Sequence, residues 1–278
     1  MFSRFLKRRA PVKAPLVPTL PDGVVVWAIG DIHGRLDLLQ PLAEVILADL
    51  ASSNAQRKVV VFLGDYIDRG PDSRGVLAHL EALSRDGDVE WHFLKGNHEE
   101  AMLAFLADPA EGEKWCEYGG GETLASYGLK VPQLKHRVEA WEHLSADLDH
   151  RMSDSERTFL ETLTLSVSIG DYFFAHAGAR PGKPLDQQTP RDLMWIRGSF
   201  LNSEESFDRV VVHGHTPASE VHIDHRRIGL DTRAYASGVL SAVRLSGVDQ
   251  RVYQTGDGIV RVAATLSMEP VAGSPVTA

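Results

Sequence analysis

Three apolar runs constrain this chain more than any other feature. Residues 24–29 read VVVWAI and stop at Gly30, and residues 59–63 read VVVFL and stop at Gly64. Residues 89–94 read VEWHFL and are followed closely by Gly96. The first two runs are too continuously apolar for a strand with one wet face, so they are expected as strands buried on both faces. The third is expected as a further strand. Residues 36–50 and 75–84, between the runs, have helical spacing. Strand–helix–strand–helix–strand implies an α/β protein with a parallel sheet and right-handed crossovers. In such sheets ligands bind outside the carboxyl ends of the strands.

The rest of the chain divides by pattern. Residues 102–106, 138–148 and 155–163 have helical spacing, broken at Gly119–Gly121, which predicts a helical insertion over about residues 100–163 beside the strand ends. Short strands are expected at 165–169 and 172–175, joined by a tight turn at Gly170–Asp171, and then at 210–212, 227–230, 239–245 and 251–254. These later strands are expected to form a second sheet packed on the first. One domain over residues 23–266 is expected. It lies between a basic, proline-rich tail at 1–22, ending in the stiff run Pro11–Pro21, and a flexible tail at 267–278.

Charge and cysteine content narrow the function. Lys and Arg number 29 against 38 Asp and Glu, a net charge of −9, which argues against a general nucleic-acid binder. Cys116 is the only cysteine, so neither an intramolecular disulfide nor a cysteine metal cluster is possible, as suits a reducing cytoplasm. No stretch is long and apolar enough to span a bilayer. The first residues carry Arg4, Lys7, Arg8, Arg9 and Lys13 without an apolar region behind them, so no cleaved signal peptide is expected. Beside Phe2, Phe5 and Leu6 these cations would support at most a weak contact with a membrane surface.

The strand ends carry the chemistry. They read Gly30-Asp31-Ile32-His33-Gly34, Gly64-Asp65-Tyr66-Ile67-Asp68-Arg69-Gly70 and Gly96-Asn97-His98-Glu99, then His176-Ala177-Gly178 and His213-Gly214-His215-Thr216. Any one of these could be a helix cap or a packed histidine. Together they place five of twelve histidines at glycine-flanked strand ends, which packing alone explains poorly. Carboxylates, imidazoles and an amide oxygen suit divalent ions of intermediate hardness such as Mn, Fe or Zn.

In this order, GDIHG, GDYIDRG, GNHE, HAG and HGHTP resemble the PPP-type serine/threonine phosphatase branch of the calcineurin-like metallophosphoesterases, especially its bacterial and phage members. The segments around Trp115–Gly128 and 231–245 resemble bacterial members too. The resemblance implies an α/β/β/α sandwich holding two divalent ions, manganese being the expected one. It implies that Asp31 and His33 hold the first ion, Asp65 bridges both, and Asn97, His176 and His215 complete the second. His213 then either supports the ligands from behind or packs in the core. Arg69 and Arg197 would bind the phosphoryl group. His98, held by Asp68, would protonate the leaving group.

Two ions sharing a water would ionise it, and the hydroxide would attack phosphorus in line. Cys116 has no phosphate cradle around it, which disfavours a cysteine nucleophile. The expected substrate is phosphoserine or phosphothreonine in a protein or peptide, or another small phosphoester. The alternative is a dinucleoside-polyphosphate (diadenosine tetraphosphate-type) hydrolase. The DxxDRG arrangement and Glu99 favour the phosphomonoester. An inactive binding module is disfavoured because every ligand position is filled, and a nuclease because the chain is acidic and shows no basic groove segment. The helical insertion and Tyr235, near Asp231, are expected to shape substrate entry, and Arg233, which stands where bacterial relatives often have glycine, to narrow the pocket mouth or favour an acidic substrate.

Overall fold

The computed structural model describes residues 17–133 and 138–267. The three apolar runs form β1 (Val24–Ile29), β2 (Arg57–Phe62) and β3 (Glu90–Phe93), paired in parallel as β1–β2–β3. The helices between them are α1 (Leu36–Ser52) and α2 (Ser73–Leu83). Asp72 caps α2 by accepting a hydrogen bond from the Gly75 N–H at 2.9 Å. β1 and β2 sit inside the sheet and are buried, whereas β3 is an edge strand and largely half-buried.

The insertion begins with α3 (Asn97–Ala107). Two short helices follow, α4 (Gly112–Trp115) and α5 (Gly121–Ser126), joined by a π-turn at Cys116–Gly120, and then come α6 (Val138–Arg151) and α7 (Asp154–Glu161). Gly119 inside the π-turn has φ 107°, a left-handed value open to glycine. The expected break lies here.

The second sheet holds β4 (Ser166–Ile169), β5 (Tyr172–Ala175), β6 (Val210–His213), β7 (His222–Ile223) and β8 (Arg227–Gly229) in the order β4-β5-β6-β8-β7. β4 and β5 pair from Ile169 opposite Tyr172, so Gly170–Asp171 is the two-residue turn expected. The last strands depart from expectation. β9 (Leu240–Ser246), β10 (Asp249–Gly256) and β11 (Ile259–Ser267) join the first sheet, not the second. β9 pairs antiparallel with β1, giving the order β11-β10-β9-β1-β2-β3. Two short apolar runs cannot declare which sheet they will extend. The pairing depends on the free edge of β1, a tertiary fact.

Alternation along β1 makes the layers. Val25, Trp27 and Ile29 face α1 and α2, packing on Leu39, Leu42, Val76 and Leu77. Val26 and Ala28 face the second sheet, packing with Tyr172, Phe174, Val212 and Ile228. A third cluster joins Phe173, Ala175 and Val211 to Leu193, Ile196 and Phe200 on the outer face. β1, β5 and β6 are thus buried on both sides, and the layering is α/β/β/α.

Residues 18–22 correct the expected tail. Leu20 is buried between the sheets, its N–H bonds the Gly247 carbonyl at 3.0 Å, and the Thr19 N–H bonds Asp171 at 3.0 Å. Leu20 supplies an apolar anchor to the sandwich, so the domain begins before residue 23. The basic residues 4–13 and the chain after 267 lie outside the described residues. Among the described residues no helix is long and apolar enough to cross a membrane.

Candidate active site

Five strand ends converge on one edge of the sandwich. Beyond β1 stand Asp31 and His33, beyond β2 Asp65, Asp68 and Arg69, and beyond β5 His176. Beyond β6 stands His215, while Asn97, His98 and Glu99 form the first turn of α3. Asp31, His33, Asp65, Asp68, Asn97, His98, Glu99, His176 and His215 are all buried. Such crowding of polar groups requires sharp turns. His33, Asp65, Asp68, Arg69 and His215 all have φ between 47° and 71°, and they are five of seven such non-glycine residues among those described. Strain of this kind gathers where function demands a geometry. A Cβ on Gly214 would overlap the Asp31 carboxylate, and one on Gly96 would overlap that of Asp65.

Asp65 lies at the centre. Its Oδ1 is 3.3 Å from His176 Nε2, and its Oδ2 is 3.6 Å from His33 Nε2 and 3.8 Å from His98 Nε2. Two groups share it: His33, Asp65 and His98, and Asp65, His176 and His215, with donor atoms within 4.8 Å in each group. Asn97 joins the second group through Oδ1, 3.0 Å from His176 Nε2. Asp31 lies outside both groups and accepts the His215 N–H at 2.9 and 3.2 Å.

The rings are oriented from behind. His33 Nδ1 bonds the Ile67 carbonyl and His176 Nδ1 bonds that of Leu63, each at 2.8 Å. Those contacts turn each Nε2 toward Asp65; burial disfavours the His176 cation, but Asp65 prevails and raises its pKa above the ordinary value. Burial lowers the pKa of His33 to about 3 and of His215 to about 2, so both rings are neutral donors. Burial, then Asp231 and Asp65, raise Asp31 well above the usual carboxylate range. Burial opposes ionisation of Asp65 too, but His176 and His98 outweigh it and hold its pKa well below that range. Neutral imidazoles, crowded carboxylates and an amide oxygen are a donor set that divalent ions of intermediate hardness fit.

His98 is gripped by Asp68, its Nδ1 being 2.7 Å from Asp68 Oδ2. Burial disfavours the His98 cation, but Asp65 and the Asp68 hydrogen bond prevail and raise its pKa above the ordinary value. Asp68 in turn accepts from Trp115 Nε1 at 2.9 Å and from Thr123 Oγ1 at 2.6 Å. Arg69 is pinned by its N–H to the Gly119 carbonyl at 3.1 Å, and its Nη1 lies 3.1 Å from His33 Nε2. Its guanidinium sits 5.0 Å over the Tyr235 ring. Arg197 Nε donates to His215 Nε2 at 3.0 Å. The two arginines therefore flank opposite sides of the cluster.

His213 points elsewhere. Nδ1 bonds the Gly214 carbonyl at 2.9 Å and Nε2 faces Arg227 Nη1 at 3.1 Å. Arg233 is exposed and is not among the residues lining the two cavities beside the cluster.

Glu99 changes meaning. Its carboxylate accepts the N–H groups of Asp65, Tyr66 and Gly96 at 2.8–2.9 Å and of Ile67 at 3.3 Å. Burial, reinforced by Asp65, raises its pKa to about 7. It is a scaffold beneath the Asp65 loop, and it faces backbone, not substrate. Sequence reasoning also missed Thr123 and Asp231. For Asp231 the one signal was a carboxylate following a buried strand.

Residues 24–241 match the family model described as calcineurin-like phosphoesterase. The chain belongs to this family. This phosphoesterase is therefore a hydrolase of the metal-dependent class. It is similar to the asymmetrical bis(5'-nucleosyl)-tetraphosphatase PrpE of Oceanobacillus iheyensis, at 25% identity over 78% of this chain and 86% of that protein. It is also similar to serine/threonine-protein phosphatase 2 of Escherichia coli, at 34% identity over 34% of this chain and 38% of that protein. A solved structure described as a candidate diadenosine tetraphosphatase shares the phosphoesterase fold with TM-score 0.55 and 22% identity, covering 84% of this chain and 94% of that one. The match to that protein phosphatase thus spans one third of the chain.

Proposed function

We propose that this phosphoesterase hydrolyses dinucleoside polyphosphates, cutting a tetraphosphate off-centre into a nucleoside monophosphate and a nucleoside triphosphate. The observation that carries this reading is the extent of similarity to PrpE, 78% of this chain. Asp31 and His33 would hold one divalent ion, Asp65 would bridge, and Asn97, His176 and His215 would hold the second. Bound ions supply Lewis acidity and lower the pKa of water.

The remaining steps belong to side chains. Arg69, beside His33, and Arg197, beside His215, donate to the phosphoryl oxygens from two sides. His98 presents Nε2 to the centre, 3.8 Å from Asp65, and delivers a proton to the departing oxygen. Asp68 holds that ring through Nδ1.

A second reading, hydrolysis of phosphoserine or phosphothreonine in proteins, is favoured by the buried His98–Asp68 pair. An alkoxide leaving group needs a proton far more than a phosphate does. Parallel assays on diadenosine tetraphosphate and a phosphoserine peptide, with Mn, Fe, Zn and Mg supplied in turn, separate the two. The proposal expects kcat/KM at least about tenfold higher on the dinucleotide. The reverse ranking would replace it with the second reading.

A further inference from the structure

A groove of about 640 Å³ opens beside the cluster, on the side of His98 and His215. Aromatic contacts fix that placement. The Tyr118 ring is 6.3 Å from His98 and 6.1 Å from Trp195, and Trp195 is 6.4 Å from His215. Tyr118, Trp195 and Arg197 all line the groove. It therefore starts where His98 would meet the leaving group.

Its walls are cationic in an acidic protein. Lys114, Arg180, Arg191 and Arg197 line it against two carboxylates, Glu100 and Asp192, while the chain carries −9. Both carboxylates are already engaged. Glu100 accepts from Trp195 Nε1 at 2.6 Å, and Asp192 is bound by Arg180 at 2.6 Å and Thr189 at 2.7 Å. Arg191 is exposed and makes no hydrogen bond or ion pair among the described residues. Lys114 bonds Glu111, which lies outside the groove lining. Positive charge is thus in excess along the wall, and two of the cations can turn toward a ligand.

We infer that this groove receives the leaving polyphosphate, with Lys114 and Arg191 as specificity-determining cations for the phosphates beyond the scissile one. The inference rests on the dinucleotide reading above and deepens it. A polyphosphate carries phosphates beyond the scissile one that these cations can meet, and a lone phosphomonoester has none. Its charge is spread over several groups, which a row of separated cations matches.

The test is the double variant Lys114→Ala/Arg191→Ala, both residues being exposed, with Arg191→Glu as a second variant. The probe is β,γ-methylene-bridged ATP, measured by calorimetry and by competition against nitrophenyl phosphate hydrolysis. Its Kd is expected to weaken about tenfold more in the double variant than KM for nitrophenyl phosphate does. Equal weakening of both, or of neither, would overturn the groove assignment. So would the same tenfold selectivity appearing for an acidic phosphopeptide and not for the nucleotide. If the selective loss is found but the unaltered enzyme does not cleave diadenosine tetraphosphate, the dinucleotide reading falls and the groove stands.

Discussion

At the scale of single residues, the site is built from conformations that L-amino acids avoid. His33, Asp65, Asp68, Arg69 and His215 have positive φ because only such turns aim several polar side chains at one point. Their chemical types could be read in the sequence because they follow apolar runs in short segments bounded by glycine. Their strain could not be read, nor the backbone that Glu99 organises. Arg233 shares the left-handed conformation, φ 57°, without sharing the site. The Arg233→Gly variant is expected to be more stable by about 0.5–1 kcal/mol, because glycine relieves the left-handed penalty. Urea unfolding checks this, with kcat/KM expected to stay unchanged. A fall in stability would show that the arginine side chain supplies more than its backbone costs.

At the scale of elements, the helical insertion positions the second strand's loop. The π-turn between α4 and α5 places the Gly119 carbonyl on Arg69, and the flanking Trp115 and Thr123 hold both oxygens of Asp68. The Trp-to-Gly-to-Thr spacing was visible in the sequence, but its use was not. Its target lies about fifty residues earlier in the chain, and only folding brings the two together. Trp115→Phe keeps the ring and removes one donor from Asp68. Turnover of a poor leaving group such as phosphoserine is expected to fall about tenfold, and that of nitrophenyl phosphate much less. Equal losses on both would assign Trp115 to packing alone. Register is the other lesson of this scale. β9 and part of β10 read as strands and β11 did not, and which sheet they extend depended on an edge that β1 leaves open.

At the scale of the whole molecule, three apolar layers bury groups whose charge they exclude. His213 is held neutral by burial with a pKa of about 3, against an ordinary 6.5. The unfolded chain takes up this proton first as pH falls. The stabilisation is therefore present above about 6.5 and is lost progressively toward pH 3. Between pH 7 and pH 5 this residue is expected to cost the chelator-treated protein about 2 kcal/mol of unfolding free energy. His213→Gln is expected to show a correspondingly shallower loss, and urea denaturation at the two pH values measures both. A variant with the same slope would place the buried proton demand on other groups.

What the sequence by itself determined is the parallel core and the kinds of donor at its strand ends. Apolar continuity and glycine punctuation are local properties, so a linear reading captures them. Only the tertiary structure decided the joining of β9–β11 to β1, the cap that Leu20 places on the sandwich and the scaffold role of Glu99. It alone decided, too, the excess of cations beside His98. Each of these depends on which distant surfaces meet, and burial and charge take effect only once they do.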